Sequence, residues 1–398
     1  EDAAGEKALW VVRAAIPNVP IDRDHLIAAA RLAGDYLVRM QRPDGRFYYY
    51  YNPATDEVDS DRYNIIRHEG AVFSLFELYR VTGDRRYLAT AEKAVDFLKQ
   101  RFKILPGRPP DGRSASRSRH ASASAAASGS DAAYVGGPGG RIQLGANGLG
   151  LLAIVEEISY HKKIGDDEIA RKLANMVLSM QRPDGSFETS SDNAGNDTEE
   201  PPSLYYPGEA MLALMDLYAI TKQKTLLDAV RRGATNLMKA EKRQSELPPD
   251  AWFAQSLEKL YAVTGEREFA EHAIDLAVSM VDSQYGDSAP EGYAGGIAPG
   301  IPRAVQSASR AEGVIAGYRL SKELSDPRAQ KLLTGLKSSA RFEIYQQFTA
   351  DNSFFLPQPS KAEGGIRESI TSMRIRIDYV QHTISSLLGL SSITAWNL

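Results

Sequence analysis

The amino-acid sequence predicts an all-α fold of twelve helices paired into six hairpins. Three observations lead to this prediction: apolar residues recur at helical spacing throughout the 398 residues, strand-like alternation is scarce, and helical segments are repeated. Hydrophobic residues make up 43% of the chain and charged residues 25%, which is typical of a globular protein. We therefore expect residues 1–398 to form a single domain.

The repeated segments each contain the end of a helix and the turn that follows it. LFELYRVTGDRRYL, from Leu75, returns as LMDLYAITKQKTLL from Leu214 and, less closely, as LEKLYAVTGEREFA from Leu257. YLVRMQRPDGRF, ending at Phe47, returns as MVLSMQRPDGSF, ending at Phe187. The copies from Leu75 and Leu214 lie 139 residues apart and those ending at Phe47 and Phe187 lie 140 apart, which indicates an internal duplication.

Buried and amphipathic helices alternate along the chain. The helix predicted at 68–82 is apolar over most of its circumference and belongs to an inner layer, whereas the helix at 84–103 has one apolar stripe and belongs to an outer layer. The same alternation continues through both repeats. The twelve predicted helices lie at 23–40, 68–82, 84–103, 144–163, 166–181, 207–222, 224–241, 250–264, 266–283, 306–323, 326–347 and 376–393.

The connections between these helices differ sharply in length. Turns from an inner to an outer helix are short, as in Thr82-Gly-Asp84, whereas connections from an outer to an inner helix are long. If the inner helices run parallel around a ring, the long loops and the inner-helix N-termini share one face, where we expect the functional site. Residues 106–140 are rich in Ser, Ala and Gly and are expected to form a flexible loop over that face.

This order of helices resembles the (α/α)6 toroid, the six-hairpin glycosidase-like architecture. Many glycoside hydrolases, sugar epimerases and polysaccharide lyases share that architecture, as do terpenoid cyclases, so the resemblance implies a fold more specifically than an activity. The two Gln-x-Pro-Asp-Gly-x-Phe segments, beginning at Gln41 and Gln181, resemble the QW motif of the cyclases. We expect both to act as structural fasteners between an outer helix and its turn.

Composition excludes several classes of site. The chain has no cysteine, which excludes disulfides, thiol catalysis, iron–sulfur clusters and cysteine-ligated zinc, and we expect no metal or other cofactor. A net charge of −4 disfavours nucleic acid as a partner, and no apolar run reaches the roughly 20 residues of a transmembrane segment. The chain begins at Glu1 rather than Met, which, with the lack of cysteine, slightly favours a periplasmic or extracellular location.

Two glutamates at inner-helix starts are the preferred catalytic carboxylates. Glu69 in Arg67-His-Glu-Gly and Glu312 in Arg310-Ala-Glu-Gly occupy equivalent positions, and Asp378 is held in reserve. A pair of carboxylates can act as the acid and base of a glycosidase, which makes glycosidic hydrolysis the leading hypothesis. Glutamate in a first helical turn is also favoured by capping and by the helix dipole alone.

Two histidines support an alternative reaction. His68 and His382 lie at the starts of helices that ring closure makes neighbours, and such a pair could move protons at a sugar carbon. The segment Arg376-Ile-Asp378-Tyr379-Val-Gln-His382 resembles the Arg-x-Asp-Tyr-x-x-His segment of glucuronyl C5-epimerases, which implies uronate chemistry. A histidine in such a place can equally be a buried hydrogen-bonding residue.

Aromatic, amide and charged residues at the same helix starts are the candidate carbohydrate-binding groups. Aromatic rings stack on the apolar faces of sugars, and polar side chains bind hydroxyl or carboxylate groups. These candidates are Arg67, Asn147, Tyr206, Glu209, Asp250, Trp252, Arg310, Arg376 and Tyr379. Asp250 is also a natural helix cap. Three functions remain open: a glycoside hydrolase, a uronate epimerase or polysaccharide lyase, and a non-catalytic protein of glycan binding or polysaccharide assembly.

Overall fold

The computed structural model describes residues 20–104, 131–136, 141–191 and 203–393, and twelve long helices dominate it. The outer helices are α1 (Arg23–Arg39), α3 (Arg85–Lys99), α5 (Asp166–Ser179), α7 (Lys224–Glu241), α9 (Arg267–Asp282) and α11 (Ala329–Tyr345). The inner helices are α2 (Ile65–Thr82), α4 (Leu144–His161), α6 (Tyr206–Thr221), α8 (Ala251–Thr264), α10 (Ala304–Glu323) and α14 (Ile377–Ser391). All twelve predicted helices are confirmed, with ends within four residues of the predicted ones. Two additional one-turn helices are α12 (Ala350–Ser353) and α13 (Pro359–Ala362).

The six inner helices form a closed ring. Each packs against the next along the chain, and α14 returns to pack against α2. The outer helices cover this ring, which confirms the (α/α)6 toroid. The inner layer is apolar on nearly all sides because it is buried between the outer helices and the ring centre. Even so, no helix in the described part of the chain is both long and apolar enough to cross a membrane.

The long loops contain short strands that the sequence did not predict. A four-stranded sheet in the order β2-β1-β8-β7 joins the first long loop to the last, and all of its pairings are antiparallel. Its strands are β1 (Tyr50–Asn52), β2 (Glu57–Asp59), β7 (Arg367–Ser369) and β8 (Ser372–Arg376). Two further pairs join β3 (Phe102–Ile104) to β4 (Ala133–Val135) and β5 (Ile142–Gln143) to β6 (Ser190–Ser191). Because β8 runs directly into α14, the sheet fixes where that helix begins.

The Ser/Ala/Gly-rich segment at 106–140 is only partly described. Within it, β4 is a buried strand that pairs with β3, so the prediction of a flexible loop is wrong for Ala133–Val135. The three residues of β4 are buried and lie beside α5, and Asn147 on α4 accepts a hydrogen bond from the Val135 amide. The prediction for 106–130 and 137–140 lies outside the described residues.

The glutamine of each Gln-x-Pro-Asp-Gly-x-Phe segment joins two outer helices, as predicted for a fastener. The side-chain Nε2 of Gln41, just after α1, donates to the carbonyl of Thr90 on α3 at 2.8 Å. The Nε2 of Gln181, just after α5, donates to the carbonyl of Ala229 on α7, also at 2.8 Å. Each also donates to the glycine carbonyl of its own turn. Both glutamines therefore hold neighbouring outer helices in register.

Two more glutamines also join neighbouring outer helices, although they lie outside the Gln-x-Pro-Asp-Gly-x-Phe segments. Gln284, after α9, donates to the carbonyl of Gly335 on α11 at 3.2 Å, and Gln347, after α11, donates to that of Ala29 on α1 at 2.9 Å. The bond from Gln347 links the last outer helix to the first, so it helps to close the outer layer of the ring.

Removing a fastener is expected to destabilise the fold. In Gln41→Ala and in Gln181→Ala, a carbonyl loses its donor, which should lower the free energy of unfolding by about 1–2 kcal/mol each. Urea denaturation followed by circular dichroism measures this difference. Gln330→Ala, at an exposed position of α11, is the matched control, with an expected change within about 0.5 kcal/mol. Losses no larger than the control's would show that the two bonds contribute nothing.

Candidate functional site

A cavity of about 480 Å³ opens among the long loops, at the N-terminal ends of the inner helices. This volume lies within the range of typical ligand sites. Because the inner helices run parallel, their first turns converge on one opening, and side chains from all six contribute to its wall. The lining residues are Asn64, Ile66, Arg67, Leu149, Ser203, Tyr205, Tyr206, Glu209, Pro249, Ala251, Trp252, Val305, Gln306, Ser309, Arg376, Asp378, Gln381 and His382.

Glu209 presents an uncharged carboxyl group to this cavity. Only 5% of the residue is exposed, and its Oε2 has no hydrogen-bond partner among the described residues. Burial raises its pKa to about 8, although the nearby charge of His382 acts in the opposite direction. Gly145 on α4 makes room for it, because a Cβ atom there would lie 2.3 Å from Oε2. Glu209 is therefore protonated at neutral pH, as a general acid must be.

Glu69, one of the two preferred catalytic carboxylates, lies behind Glu209 and does not line the cavity. It is completely buried, and neither of its carboxyl oxygens has a hydrogen-bond partner in the described part of the chain. Burial raises the pKa of Glu69 well above its usual value, and repulsion from Glu209 raises it further. Of these two glutamates, only Glu209 lines the cavity, so Glu209 and not Glu69 is the candidate for contact with a substrate.

Glu312, the other preferred carboxylate, acts through a histidine. The Nδ1 of His382 lies 2.7 Å from Oε1 of Glu312. Glu312 is buried, whereas His382 is partly exposed and lines the cavity. Burial opposes the charged form of His382, but the neighbouring carboxylate outweighs burial and raises the pKa of His382. With Nδ1 bound to Glu312, Nε2 is the nitrogen left for a substrate or water.

Asp378 is clamped between two arginines. Its Oδ2 accepts from Nε of Arg67 at 2.8 Å and from a terminal nitrogen of Arg376 at 2.7 Å. Arg376 also donates to the hydroxyl of Tyr50, and its guanidinium lies 4.5 Å from the ring centre of Tyr379. Asp378 therefore orients two cationic groups on the cavity wall and is not a free base. Tyr379 is buried beneath Arg376 and does not reach the cavity.

His68 does not join His382, which contradicts the predicted histidine pair. Its ring points to the outer layer, where Nε2 donates to the carbonyl of Ala94 at 3.1 Å and Phe47 and Phe97 lie within 5.4 Å. Burial lowers the pKa of His68 to about 4, so it stays neutral. The side chains of adjacent helical residues point about 100° apart. Because Arg67 faces the cavity, the side chain of His68 points away from it.

Three other predicted binding residues lie outside the cavity. Asn147 bonds the Val135 amide and the Gln143 carbonyl, so it holds β4 and the start of α4. Asp250 caps α8 by accepting a hydrogen bond from the amide of Phe253 at 3.0 Å. Of the two predicted roles of Asp250, helix cap and binding residue, the structure therefore shows the first. Arg310 lines a different cavity.

The structure thus brings seven predicted residues to the cavity wall, namely Arg67, Tyr206, Glu209, Trp252, Arg376, Asp378 and His382. It also adds polar residues that the sequence analysis missed. Gln306 and Ser309 precede Glu312 at intervals of three residues, so helical spacing alone would have placed them on the same face of α10. Gln381 lies next to His382, in the segment already singled out.

The charges on this wall suit proton transfer to and from a sugar. A protonated Glu209 could donate a proton, and the His382–Glu312 pair could accept one. Trp252, whose ring centre is 6.1 Å from that of His382, adds an aromatic ring to the same wall. In the described ranges no group of three or more histidine and carboxylate side chains is placed to hold a metal ion.

The sequence matches no protein-family model and no characterised protein, but the structure resembles several solved ones. The α-1,6-mannanase GH76A of Salegentibacter sp. HEL1_6 is 12% identical, with a TM-score of 0.61, over 92% of this chain and 98% of the mannanase. Cellobiose 2-epimerase from Bacillus thermoamylovorans B4167 is also 12% identical, with a TM-score of 0.63, over 92% and 99%. A D-mannose isomerase is 13% identical, with a TM-score of 0.62, over 94% and 99%.

These similarities cover nearly the whole of each chain. At 11–13% identity they show a shared fold and carry no residue-by-residue correspondence. The chain has the six-hairpin (α/α)6 toroid fold found in glycoside hydrolases, sugar epimerases and sugar isomerases.

Proposed function

We propose that this protein is a carbohydrate-active enzyme, residues 1–398 forming one catalytic domain, and that it hydrolyses a glycosidic bond in the central cavity. The observation that carries the proposal is Glu209, a lining residue of the cavity whose pKa is raised by burial and whose buried Oε2 has no partner among the described residues, together with the histidine and aromatic rings on the same wall. Glycoside hydrolysis needs such an acid and a base on opposite sides of the scissile bond.

In the proposed reaction, Glu209 gives its proton to the glycosidic oxygen as the bond from that oxygen to the anomeric carbon breaks. The unprotonated Nε2 of a neutral His382 takes a proton from a water molecule, and the oxygen of that water bonds to the same carbon. Glu312 stabilises the imidazolium that forms, because its Oε1 already lies 2.7 Å from Nδ1. Tyr206 and Trp252 offer ring faces on which the sugar can stack.

The catalytic groups proposed here differ from those that the mannanase comparison suggests. A variant of the Salegentibacter mannanase bound to α-1,6-mannotriose is inactive with two adjacent aspartates replaced. The only adjacent aspartates of this chain are Asp166 and Asp167, at the short-turn end of α5 and away from the cavity wall. We therefore assign the acid and base to other residues, and Glu209 and His382 are the pair on the cavity wall that suits these roles.

A second candidate is epimerisation, or elimination, at a sugar carbon next to a uronate group. The observation that favours it is the arginine clamp, because Arg67 and Arg376 bring two positive charges to the wall against the single charge of Asp378. A cationic wall suits a carboxylate on the substrate. His382 would then remove a proton from carbon instead of from water.

A panel of neutral and uronic polysaccharides tests these proposals. Hydrolysis yields new reducing ends, elimination yields unsaturated sugars that absorb in the ultraviolet, and epimerisation in heavy water places deuterium on the sugar carbon. We expect reducing ends. Binding without any of the three products would refute both enzymatic proposals and leave the non-catalytic glycan-binding function.

The rate is expected to be highest in a narrow pH range that lies between the raised pKa of His382 and the pKa of Glu209, about 8. The acid Glu209 loses its proton as the pH rises through about 8, and the base His382 becomes protonated as the pH falls through its raised pKa, above 6.5. Measuring kcat/KM from pH 5 to 10 with the best polysaccharide of the panel checks this profile. Activity that persists unchanged to pH 10 would exclude Glu209 as the acid.

A further inference from the structure

A second cavity adjoins the first and extends along α9. Its volume is about 720 Å³, also within the range of ligand sites. Pro249, just before α8, belongs to the walls of both cavities. The other lining residues come from the loop before α8, from α9, from the loop before α10 and from the starts of α10 and α11, among them Leu247, Ser279, Ser283, Ile297, Arg310 and Arg328.

The first turns of α10 lie between the two cavities. Val305, Gln306 and Ser309 line the central cavity, whereas Arg310, the next residue, lines the second. Arg310 is also close enough to Tyr205, on the central wall, for the two side chains to interact electrostatically. Arg310 therefore stands at the junction of the two cavities.

Arg310 lacks the partners that a half-buried arginine usually has. It forms no hydrogen bond or ion pair with any residue of the described ranges, and burial lowers its pKa. By contrast, Arg328 on the same wall is bonded to Asp326 and Asp275. A guanidinium has five donors, and leaving them unpaired in a partly buried place costs free energy unless a ligand or water accepts from them.

We propose that the two cavities form one extended groove and that Arg310 binds a sugar unit outside the central cavity, so that the substrate is an oligosaccharide or polysaccharide chain. This inference rests on the proposed carbohydrate function. The oxygens of a sugar hydroxyl or carboxylate accept from the Arg310 guanidinium, while the unit that reacts lies between Glu209 and His382. The serines and polar loop residues of the second cavity offer further hydrogen bonds to such a chain.

Calorimetric binding to the inactive Glu209→Gln protein tests this groove separately from catalysis. The probes are neutral β-1,4-linked and α-1,6-linked oligosaccharides and oligouronates, each two or six units long. We expect the six-unit form of at least one glycan to bind about tenfold more tightly than its two-unit form, as one charge-assisted hydrogen bond allows. Arg310→Ala should remove that advantage and leave two-unit binding unchanged.

Arg341→Ala, which removes an exposed arginine of α11, is the charge-matched control and should keep the dependence on length. Equal affinity for both lengths, an equal loss for both in Arg310→Ala, or no binding to any probe would overturn the inference. If length-dependent binding occurs but the wild-type protein turns over no glycan, only the proposed function fails. Turnover by the wild type without length dependence refutes only the extended groove.

Discussion

Glu209→Gln is expected to reduce kcat by about 10²–10⁴-fold, while the affinity for the same glycan stays nearly unchanged. The amide has almost the same size and still lines the cavity, but it cannot give a proton to the leaving oxygen. Turnover of the best substrate from the polysaccharide panel, with calorimetry for binding, measures both quantities.

The control for Glu209→Gln is Glu57→Gln, which makes the same change at an exposed position of β2. It should leave kcat unchanged. If Glu209→Gln keeps most of the wild-type kcat, another group must supply the proton, and the assignment of the acid is wrong. If both kcat and binding disappear, thermal unfolding will show whether the fold has been lost.

Asp378→Asn is expected to lower the free energy of unfolding by about 3 kcal/mol. The change removes the one carboxylate that accepts from both Arg67 and Arg376, and it leaves two cations facing each other on a largely enclosed wall. Urea denaturation followed by tryptophan fluorescence measures the difference. Substrate binding should weaken as well, because the arginines lose their fixed orientation.

Asp59→Asn provides the comparison for the arginine clamp. Asp59 pairs with Arg62, an arginine whose side chain is 70% exposed, and such pairs contribute at most about 1 kcal/mol. A loss in Asp378→Asn no greater than that in Asp59→Asn would mean that the clamp does not stabilise the ring.

The helices could be predicted from sequence because their signals are local. The apolar pattern of α2 and the stripe of α3 each lie within one helix, and the glycine at position 83 ends α2 in the left-handed conformation. The short strands could not be predicted, since β1 and β8 are three and five residues long and are stabilised by each other across more than 300 residues. Tertiary pairing decides such strands.

The location of the site could be predicted from the sequence, whereas the roles of most of its residues could not. Parallel inner helices were enough to bring Arg67, Trp252 and His382 to one opening. Which way each side chain turns depends on the rotation of its helix, and this separated His68 from His382 and placed Glu69 behind Glu209. Capping likewise could be recognised at Asp250, but only the structure shows that Asp378 holds two arginines.

Closure of the ring by α14 also determines when the central cavity is completed during synthesis of the chain. Asp378 and Arg67 are 311 residues apart in sequence, so the central cavity cannot form until nearly all of the ring has left the ribosome. Until then α2 and α10 expose the apolar faces that α14 will cover. Contacts of such long range form slowly, so the apolar faces of the incomplete ring stay open to aggregation during that interval.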